Sequence, residues 1–232
     1  MRLDKFLADG GFGTRKEVKR LIKSGAAAVN GVTEKDAGRN VSGSDNVTVN
    51  GKSAVSREFV YIMMNKPQGY VSATEDKHYP VVTELLDESY KRFAPSPVGR
   101  LDIDTEGLLL LTNDGALNHR LTSPSKNVYK TYFAMLDNEA EDKDAETFAG
   151  GMEFKDFTAK SARLTICENR REVFIEIAEG KFHQVKRMCA RVGKNVEYLK
   201  RVAIGPLELD ESLLPGEYRE LDEKELELLK NC

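Results

Sequence analysis

The chain has 232 residues, 40% of them hydrophobic and 31% charged, enough for a small domain and a larger one, each with its own core. It has no apolar run long enough to span a bilayer, and its start, Met1-Arg2-Leu3-Asp4-Lys5, lacks a secretory segment, so a cytoplasmic protein without membrane contact is expected. Three dispersed cysteines (Cys167, Cys189, Cys232), three scattered histidines (His78, His119, His183) and no phosphate-cradling glycine motif argue against a disulfide framework, a metal site or a bound cofactor.

The net charge of −3 hides an asymmetry. Residues 1–58 hold eleven Lys/Arg against seven Asp/Glu, or +4, which leaves 24 against 31, or −7, for residues 59–232. Opposite signs on two stretches suggest two domains, 1–58 and 59–232, with the first facing a polyanion.

Leu3, Phe6 and Leu7 recur at helical spacing, and Gly10-Gly11 ends that element. Thr14 with Glu17 forms a capping-box pattern that opens a helix over 15–23, closed by Gly25. Val18, Leu21 and Ile22 would face a core, while Arg15, Lys16, Lys19, Arg20 and Lys23 make a basic stripe on the outside. Two strand-and-turn signals follow, Ala27–Val29 before Asn30-Gly31 and Val47–Val49 before Asn50-Gly51. The polar stretch Ser53–Glu58 is the best linker.

In the larger part, Val60–Met64, Tyr129–Leu136, Ala162–Ile166 and Val173–Ile177 read as strands. Asn138–Phe148, Phe182–Arg191 and Asp222–Leu229 read as helices. Strict strand–helix alternation is absent, so an α+β domain on a mainly antiparallel sheet is expected.

Gly99-Arg100-Leu101-Asp102-Ile103-Asp104-Thr105-Glu106-Gly107, followed by four leucines, sets one arginine and three acids where the chain enters a core. By itself it is either an active-site loop or a solvated turn whose acids cap a neighbouring element. Its pattern resembles the signature of the ribosomal RNA pseudouridine synthases of the RsuA type. Three further stretches resemble that family's motifs: Lys66-Pro67-Gln68-Gly69-Tyr70-Val71-Ser72, Lys130-Thr131-Tyr132 and Gly180–Met188. The N-terminal part is similar to the small RNA-binding domain of ribosomal protein S4, through Arg2–Leu7, Arg15-Lys16-Glu17, Ile22–Gly25 and Val29-Asn30-Gly31.

The resemblance implies an isomerase that converts a uridine of ribosomal RNA to pseudouridine, without cofactor. It puts the catalytic aspartate at Asp102, a tyrosine that packs on the target base at Tyr132, and the cation paired with the aspartate at Lys181. Arg100, Arg2, Lys5 and the stripe of Arg15, Lys16, Lys19, Arg20 and Lys23 would contact RNA phosphates, giving affinity with little sequence choice. Tyr129 lies three positions from Tyr132 and so points to the other face of the strand. Lys186 and Arg187 are either a solvated basic turn or further phosphate contacts; His183 is a structural residue, and Asp104 and Glu106 order the loop.

Thr122-Ser123-Pro124 ahead of Lys130-Thr131-Tyr132 looks closer to the small-subunit (16S) enzymes of the family than to the large-subunit ones. The partner would be ribosomal RNA, free or in an assembly particle, and the enzyme a monomer. Two other classes are a non-catalytic RNA-binding assembly factor and a glycoside hydrolase pairing Asp102 with Asp104 or Glu106.

Overall fold

Thr14 and Glu17 do close a capping box: the Thr14 backbone N–H donates to Glu17 Oε2 at 2.8 Å and the Glu17 N–H donates to Thr14 Oγ1 at 3.4 Å. Such a cap contributes about 1 kcal/mol to the helix it starts. That helix belongs to the first of two units in a computed structural model that describes residues 1–54 and 57–232. The first unit comprises Met1–Val60 with Glu88–Ala94; the second comprises Tyr61–Asp87 with Pro95–Cys232.

In the first unit, α1 (Leu3–Asp9) and α2 (Arg15–Lys23) precede β1 (Ala27–Val29), β2 (Val32–Glu34), β3 (Val47–Val49) and β4 (Lys52–Ala54). The strands form one antiparallel sheet in the order β2-β1-β3-β4. Leu3, Phe6, Leu7, Val18 and Ile22 from the helices meet Ala27, Val29, Val47 and Val49 from the sheet in one core. Ser53 and Ala54 of the expected linker lie in β4, and its Val55 and Ser56 fall outside the described residues.

From β5 (Tyr61–Lys66) onward come the short α3 (Glu88–Lys91, part of the first unit), β6 (Ser96–Pro97), β7 (Glu106–Thr112), α4 (Gly115–Thr122) and β8 (Lys130–Leu136). Then follow α5 (Asp142–Ala149), β9 (Met152–Glu153), β10 (Thr158–Ala159), β11 (Arg163–Ile166) and β12 (Glu172–Ile177). The chain ends with α6 (Gln184–Arg191), β13 (Val196–Ile204), β14 (Leu207–Glu208), β15 (Tyr218–Glu220) and α7 (Glu223–Lys230).

The large sheet runs β11-β12-β8-β13-β7-β5-β15, with β14 on β13 and β6 on β7. Its strand pairs are antiparallel except β13 with β7. The α+β class on a mainly antiparallel sheet is therefore as expected. β7 lies deep in this sheet and is buried from Gly107 to Thr112, which explains an unbroken apolar run where an open sheet would show alternation. Met63, Leu108, Leu110, Leu117, Leu121, Ile204 and Leu229 pack on one of its faces.

The strands at the site come together because of one glycine. Gly107 has φ +103, and a Cβ there would lie 2.2 Å from the Arg201 carbonyl oxygen. No other residue lets β7 approach β13 so closely.

Three expected boundaries shift, each for a local reason. The helix expected from Asn138 starts at Asp142, because Glu141 and Asp144 form a capping box and the Ala140 N–H is tied to the Arg170 carbonyl. The helix expected from Phe182 starts at Gln184, because His183 is left-handed with φ 51°. Asp222 caps the last helix from outside, accepting from the Glu225 N–H at 2.8 Å. β13 was not expected as a strand at all.

Candidate active site

The loop carrying Asp102 is held by its backbone. Lys66, at the end of β5, is fully buried, and its Nζ donates to the carbonyl oxygens of Thr105 (2.9 Å), Pro67 (3.0 Å), Asp102 (3.1 Å) and Ile103 (3.4 Å). Ser72 holds the other side: its hydroxyl donates to the Leu101 carbonyl at 3.1 Å and accepts from the Leu101 N–H at 3.0 Å. The Gly69 N–H donates to the Ile103 carbonyl at 2.8 Å, and the Thr105 N–H closes the turn onto Asp102 at 3.1 Å. The motif that begins Lys66-Pro67 is thus the clamp of the Asp102 loop. Burial pushes the Lys66 amine down to about 8, although the carboxylates of Asp104, Asp102 and Glu106 oppose this.

The Asp102 carboxylate is 28% exposed at the mouth of a cleft in the second unit. Lys186 Nζ lies 3.6 Å from Oδ2 and His183 Nε2 lies 3.8 Å from Oδ1. Lys186 also donates to Asp104 Oδ1 at 2.5 Å, so one ammonium spans two carboxylates. Burial raises the Asp104 carboxyl, but the hydrogen bond and charge of Lys186 outweigh it and hold the group below the ordinary carboxylate range. Glu106 accepts from the Tyr198 hydroxyl at 2.7 Å, so it orders the start of β7.

The cation nearest the Asp102 carboxylate is Lys186, not Lys181, the residue expected as its partner. Lys181 lines the same cleft, but among the described residues it makes no ion pair with Asp102. Its backbone N–H donates to Gln184 Oε1 at 2.9 Å. Lys186 sits on the first turn of α6, and that turn faces the loop. Arg187 is committed elsewhere as well: it makes a two-pronged pair with Asp156 (3.0 and 2.5 Å), and its guanidinium lies over Phe154 and Phe157 at 4.8 and 4.6 Å. That arrangement ties α6 to the turn between β9 and β10.

Tyr132 is 7% exposed and lines the cleft from β8, while Tyr129, just before the strand, is 49% exposed. Arg100 is exposed and also lines the cleft. Gln184 keeps the turn at Lys181–His183 in shape, donating from Nε2 to the buried Glu179 at 3.1 Å.

Behind the loop, Arg201 is buried and donates from Nε to the Leu108 carbonyl at 2.7 Å. Burial, and secondarily the charge of Arg201, pushes the Lys130 amine down to about 8. Sequence reasoning missed the clamp role of Lys66, the pairing role of Lys186 and the buried Arg201. Among the described residues, no three His, Cys, Asp or Glu side chains converge on a metal position, and no helix is long and apolar enough to cross a membrane.

The basic stripe of the first unit is in place. Arg15, Lys16, Lys19, Arg20 and Lys23 are exposed along α2, and Arg2 and Lys5 are exposed at α1. Arg2 and Lys19 pair with Asp4, and Lys5 with Asp9. Arg15, Lys16, Arg20 and Lys23 make no ion pair among the described residues, so they are the cations free to meet phosphate. Replacing Lys16, Arg20 and Lys23 together by alanine is expected to flatten the slope of log affinity against log salt by about 2, at ~0.7–0.9 per phosphate contact. RNA titrations at several salt concentrations check this, and an unchanged slope would place the RNA on another surface.

Residues 1–47 match the S4 domain and residues 60–191 match the RNA pseudouridylate synthase family. The class is therefore that of an RNA-modifying isomerase with an RNA-binding domain at its N-terminal end. More particularly, the chain belongs to the RNA pseudouridylate synthase family, which overturns the glycoside hydrolase alternative. An RNA pseudouridine synthase of Bacillus subtilis (strain 168) is 48% identical over 99% of this chain and 98% of its own. A ribosomal small subunit pseudouridine synthase A of Vibrio vulnificus (strain CMCP6) is 41% identical over 98% of both. A crystal structure of a pseudouridylate synthase superposes with a TM-score of 0.69 at 38% identity, over 99% of both chains.

Proposed function

We propose that this enzyme isomerises one uridine of small-subunit ribosomal RNA, and that Asp102 is the group acting on the nucleotide. The observation that carries the reading is the Asp102 carboxylate, set in a cleft between Lys186 and His183 on a loop whose backbone is clamped from behind. The reaction breaks the bond from sugar C1′ to uracil N1, turns the base and joins C1′ to C5; C5 gives up its hydrogen to water as a proton, and N1 gains one. Either route open to Asp102, attack at C1′ or removal of a sugar proton, needs a charged carboxylate held still.

Lys186 keeps that charge paired and oriented. Tyr132 packs on the extruded base, where stacking contributes about 1–3 kcal/mol against the few kcal/mol spent on unstacking it. Lys181 and Arg100, at the rim, take the flanking phosphates. Residues 1–58 grip the RNA and residues 59–232 carry the chemistry, with the enzyme acting as a monomer in the cytoplasm on free RNA or on an assembly particle. The small-subunit target is supported by full-length relatives that carry that name, such as those of Vibrio vulnificus and Yersinia pestis at 41% and 42% identity.

Ribosomal RNA labelled with tritium at uracil C5 tests the proposal. Small-subunit RNA, free or in assembly particles, is expected to release a single stoichiometric equivalent, and large-subunit RNA none. Release from large-subunit RNA alone would move the target to that subunit. Release from neither would leave an RNA-binding assembly factor as the better reading.

A further inference from the structure

Among the described residues, Phe182 is the most exposed of the large apolar side chains that stand out from the surface, at 71%. It is also next to the cleft. Its ring lies flat on that of His183, with centroids 3.8 Å apart and planes 18° from parallel, and His183 in turn reaches to 3.8 Å from the Asp102 carboxylate. The pair thus forms a two-layer aromatic stack with its inner layer at the carboxylate and its outer layer in water.

This arrangement is held from below. His183 has φ 51°, a left-handed conformation that histidine tolerates better than most residues. The turn is fixed by the Gln184 N–H on the Lys181 carbonyl (3.0 Å), the Arg187 N–H on the His183 carbonyl (2.9 Å) and the Gln184 side chain on the Lys181 N–H (2.9 Å). β12 ends at Ile177, and His183 is the left-handed N-cap of α6; the Phe182 ring ahead of it stands outward from the turn, 71% exposed. At that exposure, most of the ring is left in water. Lys181 and Arg100 line the same cleft and add positive charge where phosphates would pass.

An enzyme that extrudes a uridine leaves a gap in the stack of bases, and an aromatic face next to the pocket can fill it for any neighbouring base. We propose that the Phe182–His183 stack holds the RNA open at the target: Phe182 stacks on the base next to the extruded uridine while that uridine occupies the cleft beside Asp102. This rests on the reading of the cleft as the uridine pocket. Phe182 is a positioning residue, and its contribution is to the geometry of the bound RNA.

The test uses the full-length enzyme and C5-tritiated small-subunit RNA, in whichever form the wild type modifies. Phe182→Ala is expected to lower kcat/KM by about 10- to 100-fold, the loss of one stacked base converted to rate, with the melting temperature unchanged because the side chain is exposed. Phe182→Trp is expected to restore the rate, and Phe182→Leu, which keeps the bulk but not the ring face, is not.

Carbodiimide probing of unpaired uracil and guanine bases, with Asp102→Asn as the arrested enzyme, reads the RNA directly. The opened site is expected with Asp102→Asn and lost in the double variant Asp102→Asn/Phe182→Ala. Full activity and unchanged probing without Phe182 would overturn the proposal while leaving the uridine pocket intact. Equal rescue by leucine would also overturn it, since bulk alone would then suffice. An active Asp102→Asn enzyme would instead overturn the reading of the pocket itself.

Discussion

Replacing Asp102 by asparagine is expected to abolish tritium release from C5-labelled RNA, with kcat reduced by a factor on the order of 10⁴ or more, as for other lone catalytic carboxylates and nucleophiles. The amide matches the carboxylate in shape but can neither attack C1′ nor take a sugar proton. The fold has little reason to respond. The backbone of the loop is held through Leu101, Asp102, Ile103 and Thr105 by Lys66, Ser72 and Gly69, independently of the Asp102 side chain. Lys186 keeps its short hydrogen bond to Asp104. A melting temperature within about 2–4 °C of wild type, corresponding to ~1 kcal/mol in a chain of this size, is the matching expectation.

The same assay separates the two lysines. Lys186→Gln removes the ammonium that spans both carboxylates and is expected to lower kcat by about 10²–10³, the usual effect of deleting one preorganised electrostatic partner. Lys181→Gln, which breaks no pair with Asp102, should lower kcat/KM by no more than about 10-fold, chiefly through KM, as expected for a lost phosphate contact. If Lys181→Gln proves the more damaging of the two, the partner of Asp102 is the lysine that the sequence motif suggested and not the one that the geometry brings close.

That divergence marks where local pattern stops being informative. The capping box at Thr14, the stripe on α2 and the buried β7 were legible because each is decided by residues close in sequence. The fold class was legible too, since the run of strand signals without regular helix alternation is itself a local pattern. Which lysine meets Asp102 depends on where α6 begins, and that depends on a left-handed His183 that helical periodicity does not reveal. β13 was missed because Glu197, Lys200 and Arg201 interrupt its apolar residues. Arg201 nonetheless points inward and finds the Leu108 carbonyl, a partner 93 positions away. Gly107 likewise has a meaning only once β13 lies against it.

Lys66 is the strongest case, because nothing in the local pattern of a lysine before a proline marks it as buried, and yet it is among the largest fully buried side chains. Lys66→Met is expected to cost about 2–5 kcal/mol. It removes a buried charge, which helps, but strips the donor from the Pro67 and Thr105 carbonyls, and each unpaired buried group costs about 1–3 kcal/mol. The Asp102 and Ile103 carbonyls keep the Thr105 and Gly69 N–H groups. Activity should fall further than stability, by about 10²-fold at temperatures well below melting, because a displacement of even ~1 Å in Asp102 is enough to do so.

The pH dependence of the wild type follows from the same residue. The folded chain gives up the Lys66 proton at about 8, against 10.5 for an ordinary lysine. Between those values the unfolded chain binds more protons, so this residue makes stability rise with pH instead of fall. The neutral amine can donate only two of the bonds that hold the loop. Activity is therefore expected to drop with a midpoint near pH 8, without a matching fall in melting temperature from this group. The residual activity of Lys66→Met should lack that step. Rate profiles and thermal melts across pH 7–10 check both halves. Wild-type activity that holds to pH 10, or an identical alkaline step in the methionine variant, would show that the Lys66 ammonium is not what keeps Asp102 in position.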